Sequence, residues 1–497
     1  MNYLQRALRL TPAQDQNTHF AILTTCERVN KLLGDTAAQL DNLTAMKALA
    51  EALDVPSRQA EVQLIYAEYY TSISDYAAAI DAADKAITLA ERAGDLRLQS
   101  EGYQRSGRAL WPQANYPEAR RAAENALRVA QMAALPAQEA DALVVLGITL
   151  WFLGDYSAAQ QRLEESLPIY AKIGQPFTQK TALVNLALVA QIMGDDQSAL
   201  NHFEQALALA REMGARRDEA AILSVMVGSY HKIGEYELAL QIQRETRHIF
   251  AEVNDRFGEI VAATNIGLVS IELGDYVTAR AHLDHALALS QEISSRAQTC
   301  GILAALSEID LVEGKLTDAS QRAGDAIKIG VEAGFQDGEA KALLMYGHIL
   351  IASDQPDTAV PLLQQALTIR RTLKERHRSA EIRAALAQAA IHQGDWAQAL
   401  THVQSILDYL TIGTLDSIPG RFGIYLTCCQ VLSHLQDDRA NNLLGSAYQM
   451  LQDRATNIRD STLRKSYLNN VPAHRTIVDL YDHYHNTSTN DSFSGFT

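Results

Sequence analysis

Residues 151–170 read WFLGDYSAAQQRLEESLPIY. The stretch is the end of one helix, a tight turn at Gly154-Asp155, and a second helix starting near Tyr156. The same arrangement recurs along nearly the whole chain at a spacing of 40 residues. The turn positions are Gly34, Ser74, Ala114, Gly154, Gly194, Gly234, Gly274, Gly314, Asp354 and Gly394. Five residues further on stand Ala79, Ala119, Ala159, Ala199, Ala239, Ala279, Ala319, Ala359 and Ala399, an unbroken column. A fixed period without insertion is the signature of a repeat solenoid, in which each unit buries its apolar face on its neighbours.

Each period carries a second breaker 20 residues after the first, at Gly94, Gly174, Gly214, Asn254 and Gly334. Two helices of about 17 residues, each roughly 25 Å long, fit between the breakers. A missing Cβ lets Gly154 close a helix in the left-handed region, and Asp155 is placed to cap the next one. In that second helix Tyr156, Ala159, Leu163, Leu167 and Tyr170 fall on one apolar stripe. Further small columns let helices approach: Ala86, Ala126, Ser166, Ala206, Ala286, Ala326 and Ala366, and Ala67, Gly107, Gly147, Ala187, Gly267, Ser307, Gly347 and Ala387. Thr246 and Val227 are their odd members. Tyr76, Tyr116, Tyr156, Tyr236 and Tyr276, with Trp396 as a variant, are assigned to packing across the turn. Pro168 and Pro361 fall inside second helices, where kinks are expected. In the ninth unit Asp354-Gln355-Pro356 replaces Gly-Asp-Tyr.

The reading is an all-α, right-handed superhelical solenoid. Residues 1–16 form a half-repeat or N-terminal cap, and 17–410 ten helix pairs. A divergent helix pair and a capping helix fill 411–485, and 486–497 is a polar tail expected to be disordered. The capping segment is Asp460–Arg475, DSTLRKSYLNNVPAHR.

Composition narrows the function. A net charge of −16 over 497 residues argues against direct binding of nucleic acid and of anionic membranes. No run of about 18 apolar residues suggests a membrane span, and no secretory signal is visible. Cys26, Cys300, Cys428 and Cys429 have no metal spacing and read as reduced, partly buried thiols of a cytoplasmic protein. No phosphate-binding loop, zinc-protease or nucleophile-elbow motif occurs; Gly314-Lys315 lacks the upstream glycine. His483 and His485 near the end are a weak metal signal. The expectation is no cofactor, no metal and no catalytic residue.

Leu146-Gly147, Gly154-Asp155-Tyr156, Ala159 and Ser166 match the tetratricopeptide repeat in order and spacing. The chain therefore resembles that family, with 40 residues per unit in place of the usual 34. The longer form is similar to the repeats of Pins/LGN adaptors, Rap-type quorum-sensing regulators and MalT-like bacterial sensor domains. The capping segment resembles the end of bacterial regulators in which a STAND or AAA-type ATPase precedes a long repeat array.

That resemblance implies a ligand groove lined by first helices. Its positions fall on Arg108 and Trp111 in unit three; Asp141, Val144, Ile148 and Trp151 in unit four; and Asn185, Leu188 and Gln191 in unit five. They continue with Ser224, His231 and Lys232 in unit six; Thr264, Asn265 and Leu268 in unit seven; Glu308 in unit eight; and Lys341 and His348 in unit nine. In peptide-binding members an Asn at the place of Asn185 and Asn265 grips an extended backbone, because one carboxamide offers both donor and acceptor. The alternative for each is an Asn bonded to its own helix or to water. Trp111 and Trp151 are candidate anchors, with inter-repeat packing as their alternative. Arg108, Lys232 and Lys341 are placed to meet a carboxylate. The functional expectation is a non-enzymatic scaffold that binds a peptide or protein segment. The alternative is the sensor arm of a bacterial signal-transduction ATPase, cyclase or transcription regulator.

Overall fold

The backbone beat is visible in a computed structural model that describes residues 2–12, 14–373, 375–416 and 418–487. A left-handed residue stands at every twentieth position from Gly34 to Asp354, and again at Gly394. Position 374 lies outside the described residues. Asp54, Ala114, Ala134 and Ser294 hold this conformation without being glycine. The turn works as read. At Gly154, φ is 82°, and its N–H donates to the Trp151 carbonyl at 2.9 Å. The Asp155 N–H donates to Leu150 at 3.0 Å, and the Asp155 carboxylate accepts from the Ala158 N–H at 3.2 Å.

Twenty-five helices and no strand occur among the described residues. They pair as an all-α solenoid and divide into two compact units, residues 1–214 and 215–497. The first unit holds Asn2–Leu10 and repeats one to five, the last of them Pro176–Met193 with Asp196–Glu212. The second holds repeats six to ten, from Arg216–Lys232 to Trp396–Leu410. A loop, the pair Arg421–His434 and Arg439–Asn457, and then Ser461–Asn469 and Pro472–Thr487 follow. The single capping helix expected over this segment is two helices. Pro472 disfavours helical geometry at Val471, and the chain turns there. The last helix takes in residues 486 and 487 of the expected tail; 488–497 lie outside the described residues. Pro168 and Pro361 stand inside the continuous helices Tyr156–Ile173 and Pro356–Thr372.

The small columns are the packing seam. All nine alanines of the Ala79-to-Ala399 column are fully buried. Across from Gly147 and Gly267 sit Leu163 and Leu283, both without exposed surface. A Cβ on Gly147 would stand 2.8 Å from the Leu163 Cγ, and one on Gly267 2.5 Å from the Leu283 Cγ. Each buried leucine contributes about 1.5–3 kcal/mol, which depends on this missing atom. All four cysteines are free and buried. Burial pushes the Cys300 thiol up to about 11 and Cys429 to about 12, so neither is a thiolate nucleophile at neutral pH.

Two substitutions test the seam and the left-handed breaker in turn. Gly267→Ala overpacks the Leu283 contact and is expected to cost about 1–3 kcal/mol. Ala134→Gly relieves a left-handed alanine and is expected to gain about 1–2 kcal/mol. Thermal unfolding followed by circular dichroism should show the midpoint falling for the first and rising for the second. An unchanged midpoint for Gly267→Ala would remove the seam from the account, and one for Ala134→Gly the strain of the breaker.

Candidate binding surfaces

In each unit successive first helices pack on one another more closely than successive second helices do. The first helices therefore form the shorter, inner side of the curve, which is where the groove residues were expected.

In the first unit this side begins with charge. Glu68 pairs with Arg105 at 3.2 Å and with Lys31. Burial alone would raise the Glu68 carboxyl, but these cations outweigh it and hold it below the usual range. Arg108 is exposed and makes no hydrogen bond or ion pair among the described residues. Loss of water around it and the neighbouring Arg105 lower its affinity for the proton, against Asp141. Asp141 accepts 2.6 Å from the Tyr170 hydroxyl, whose proton burial and that carboxylate hold tightly. Ile148 and Leu188 continue the face as half-buried apolar residues, with Gln191 half-buried beyond them.

Other candidates sit differently. Val144 is buried and lines no surface. The Trp111 indole donates to the Thr149 hydroxyl at 2.9 Å, so it ties repeat three to repeat four. Trp151 stacks on Phe152 with ring centres 5.6 Å apart. Both tryptophans are half-buried in the repeat core, which is the packing alternative. The Asn185 carboxamide donates to Thr181 of its own helix at 2.8 Å, so one of its two N–H donors is already used. Thr264 likewise bonds Ile260 at 2.8 Å. Asn265 makes no side-chain hydrogen bond among the described residues, and Ser224 and Leu268 are half-buried beside it.

In the second unit Glu308, Lys341 and His348 are half-buried on the inner side. Burial raises the Glu308 carboxyl, against Lys341, and lowers the His348 imidazole to about 4. Glu381, which sequence reasoning missed, joins them and is raised in the same way. It occupies the place of Lys341 one repeat on, so the period itself could have found it.

His231 and the backbone carbonyl of Lys232 face the chain's own C-terminus, not an open groove. Glu272, the last residue of the helix Arg256–Glu272, is almost fully buried. It pairs with His231, accepts 2.8 Å from the Tyr236 hydroxyl and pairs with Arg421 at 3.2 Å. Arg421 itself has no exposed surface. Burial would raise the Glu272 carboxyl, but His231, Arg421 and Tyr236 hold it down to about 2. Arg454 donates to the carbonyls of His231 at 3.4 Å and Lys232 at 3.0 Å, and to the Tyr236 hydroxyl at 3.1 Å. Asn457 reaches the Ile233 carbonyl at 3.4 Å, and Asn470 the Gly274 carbonyl at 3.2 Å. These side chains satisfy carbonyls that a helix end leaves open. Tyr467 and Ile477, both buried, pack in one core with Tyr236, Ile266 and Leu273. His474 stands against Phe422 and Tyr467; burial lowers it to about 4, against Glu272. Tyr236, assigned to turn packing, is thus a member of a buried polar network. No periodic signal marks Glu272, Arg421, Arg454 or His474.

A cleft of about 890 Å³ runs along Arg439–Asn457 beside this closure, with Ile233 and Tyr481 among its walls. No cluster of three metal-binding side chains occurs among the described residues. No helix among them is long and apolar enough to cross a membrane.

The tetratricopeptide repeat family matches residues 98–172, 179–252 and 338–411. The chain is thus shown to carry tetratricopeptide repeats, which agrees with its helix pairs. No curated protein matches in sequence. Among solved structures it is similar to the apo quorum sensor NprR from B. thuringiensis, at 13% identity and a TM-score of 0.51. That match covers 70% of this chain and 98% of the other. A STAND protein with a tetratricopeptide repeat sensor from Pyrococcus horikoshii matches at 14% identity and TM-score 0.44, over 76% of this chain and 57% of that one. BtubC from P. vanneervenii matches at 18% and 0.40, over 43% of this chain and 91% of its own. At these identities the likeness is one of fold.

The closure yields two expectations. Glu272→Gln leaves Arg421 buried beside a neutral partner and should cost several kcal/mol, about 3–5. Limited proteolysis should then cut between residues 411 and 480 before the repeats. In acid, His474 is neutral when folded and protonates when released, so stability falls as pH drops from about 6.5 towards 4. Glu272 contributes above about 4.5, and its share is lost as pH falls towards 2. Each is worth on the order of 3 kcal/mol. Hydrogen exchange at pH 4 should show the terminal helices opening first, and His474→Phe should remove the upper part of the pH dependence of that opening while leaving the share of His348 in the repeats. Uniform opening of all repeats would contradict both.

Proposed function

We propose that the chain is a non-enzymatic scaffold whose inner face on repeats two to five binds a peptide or protein segment. The observation that carries this reading is Arg108. It is an exposed cation without an ion partner among the described residues, next to Arg105 and at the edge of the half-buried Ile148 and Leu188. A ligand carboxylate would meet Arg108 as a charge-assisted contact, and apolar ligand side chains would cover Ile148 and Leu188. Asn185 would join through its carboxamide oxygen and its second N–H. On the second unit, Glu308, Glu381, Lys341 and His348 are the corresponding inner residues for a more polar ligand.

A second reading keeps the scaffold but makes it the sensor arm of a larger regulator. The closure over His231, Glu272 and Gly274 supports it, because that contact centres on buried polar groups whose loss would release the terminal helices.

The test is selection from a random linear peptide library displayed with free C-termini, followed by titration of the enriched peptides. Enriched peptides should carry a carboxylate beside apolar residues. Arg108→Glu and Leu188→Asp, each shown folded by circular dichroism, should each weaken binding at least about tenfold. Peptides whose affinity neither change alters would place the site elsewhere.

A further inference from the structure

We propose that the turn-side edge of repeats four and five is a docking surface for a helix of a partner protein. That helix would carry an Arg or Asn that caps the open helix ends, beside an apolar side chain. The inference lies outside the inner face and does not depend on it.

The chain itself shows what binds such an edge. In repeats six and seven the first helices end at Lys232 and Glu272, followed by Ile233-Gly234 and Leu273-Gly274. The chain's own C-terminal helices cover that edge. Arg454, Asn457 and Asn470 donate to its carbonyls. A Cβ on Gly274 would stand 2.9 Å from the Asn470 Cβ and 3.2 Å from the Val471 Cγ2. Leu273 is left with no exposed surface and Glu272 with almost none, whereas Ile233, on the rim of the cleft, keeps 44%.

Forty-residue periodicity places Leu153-Gly154 and Met193-Gly194 at the same points of repeats four and five. There nothing among the described residues covers the edge. No atom lies within 4 Å of a Cβ built on Gly154 or Gly194. Phe152 is 44% exposed, Leu153 40%, Ile192 47% and Met193 48%. The equivalent four residues in repeats six and seven are Lys232, Ile233, Glu272 and Leu273. The open edge is thus more apolar than the covered one. Phe152 is also held rigid, stacked on Tyr116 at 5.1 Å and on Trp151 at 5.6 Å. A contiguous exposed apolar patch of this kind marks an interaction site, and a pre-ordered aromatic surface loses little freedom on binding. The last carbonyls of the helices Pro136–Phe152 and Pro176–Met193 present the same acceptors that Arg454 and Asn470 use elsewhere. Arg and Asn side chains are therefore the chemistry that recognises this edge.

The probe is a labelled synthetic peptide of residues 454–475, RATNIRDSTLRKSYLNNVPAHR, the chain's own covering segment. It is titrated against the full chain. The covered edge is occupied by a tethered copy at an effective concentration on the order of millimolar, so peptide binding at micromolar concentration reports the open edge. Saturable binding is expected. It should weaken at least about tenfold with Leu153→Asp plus Met193→Asp, and stay unchanged with Ile233→Asp. A peptide with Arg454→Ala and Asn470→Ala should bind more weakly than the parent. These are surface positions, and circular dichroism checks that the fold is kept. No binding up to millimolar peptide would overturn the proposal. So would binding that Ile233→Asp abolishes, which means displacement of the chain's own segment. A dimer in sedimentation that Leu153→Asp dissolves would overturn it in favour of a second copy of this chain.

Discussion

Everything in this chain follows from a backbone that must enter the left-handed region every twenty residues. The constraint ends each helix at the same length and returns the chain antiparallel to itself. It also repeats the same face at each return. Once helices of equal length stack in register, the residues opposite one another recur too. That is why alanine, and in places glycine, is needed at the seam. Glycine lowers the cost of the left-handed turn, yet Ala114, Ala134 and Asp54 adopt it as well. The packing of the flanking helices outweighs a local cost of about 1–2 kcal/mol.

A solenoid built this way leaves helix ends and edges open along its length, and the chain treats them unequally. In the second unit the terminal helices return across 222 residues of sequence to the end of repeat six and across 196 to that of repeat seven. A buried carboxylate, Glu272, is the centre of that contact. Two arginines, a tyrosine hydroxyl and a histidine surround it. Burying such a group is costly unless every partner is present. The contact is therefore specific to one arrangement and sensitive to loss of any member. Among the described residues the corresponding edge of the first unit stays bare, and its inner face carries an arginine without an ion partner. The two units thus differ in what they offer to a partner, although their repeats share one plan.

The period, the helix pairs and the seam were legible in the sequence because each depends on residues at fixed local spacing. Gly154, Asp155 and Ala159 do in three dimensions what their order implies. The positions of Arg108, Asp141, Ile148 and Leu188 came instead from the resemblance to tetratricopeptide repeats, whose groove columns were carried onto this chain. The closure was not legible. Arg421 meets Glu272 across 149 residues, and Arg454 meets Lys232 across 222. Neither separation is a multiple of the repeat, so no column pairs them. Trp111 looked like an anchor because tryptophan often is one; its indole proton already belongs to Thr149. Asn185 shows the same limit, since sequence does not say whether a carboxamide faces a ligand or its own helix.

The central claim is that the C-terminal helices are bound to repeats six and seven while the edge of repeats four and five is free. The most direct measurement is a pulsed electron spin resonance distance between labels at Glu237→Cys and Asp460→Cys. In the structure the backbone N–H of residue 460 donates to the carboxylate of residue 237, and all four native cysteines are buried. A single short, narrow distance at neutral pH is the expected result. A broad distribution reaching to long distances would mean that the terminal helices are not docked, and would contradict the account at its root.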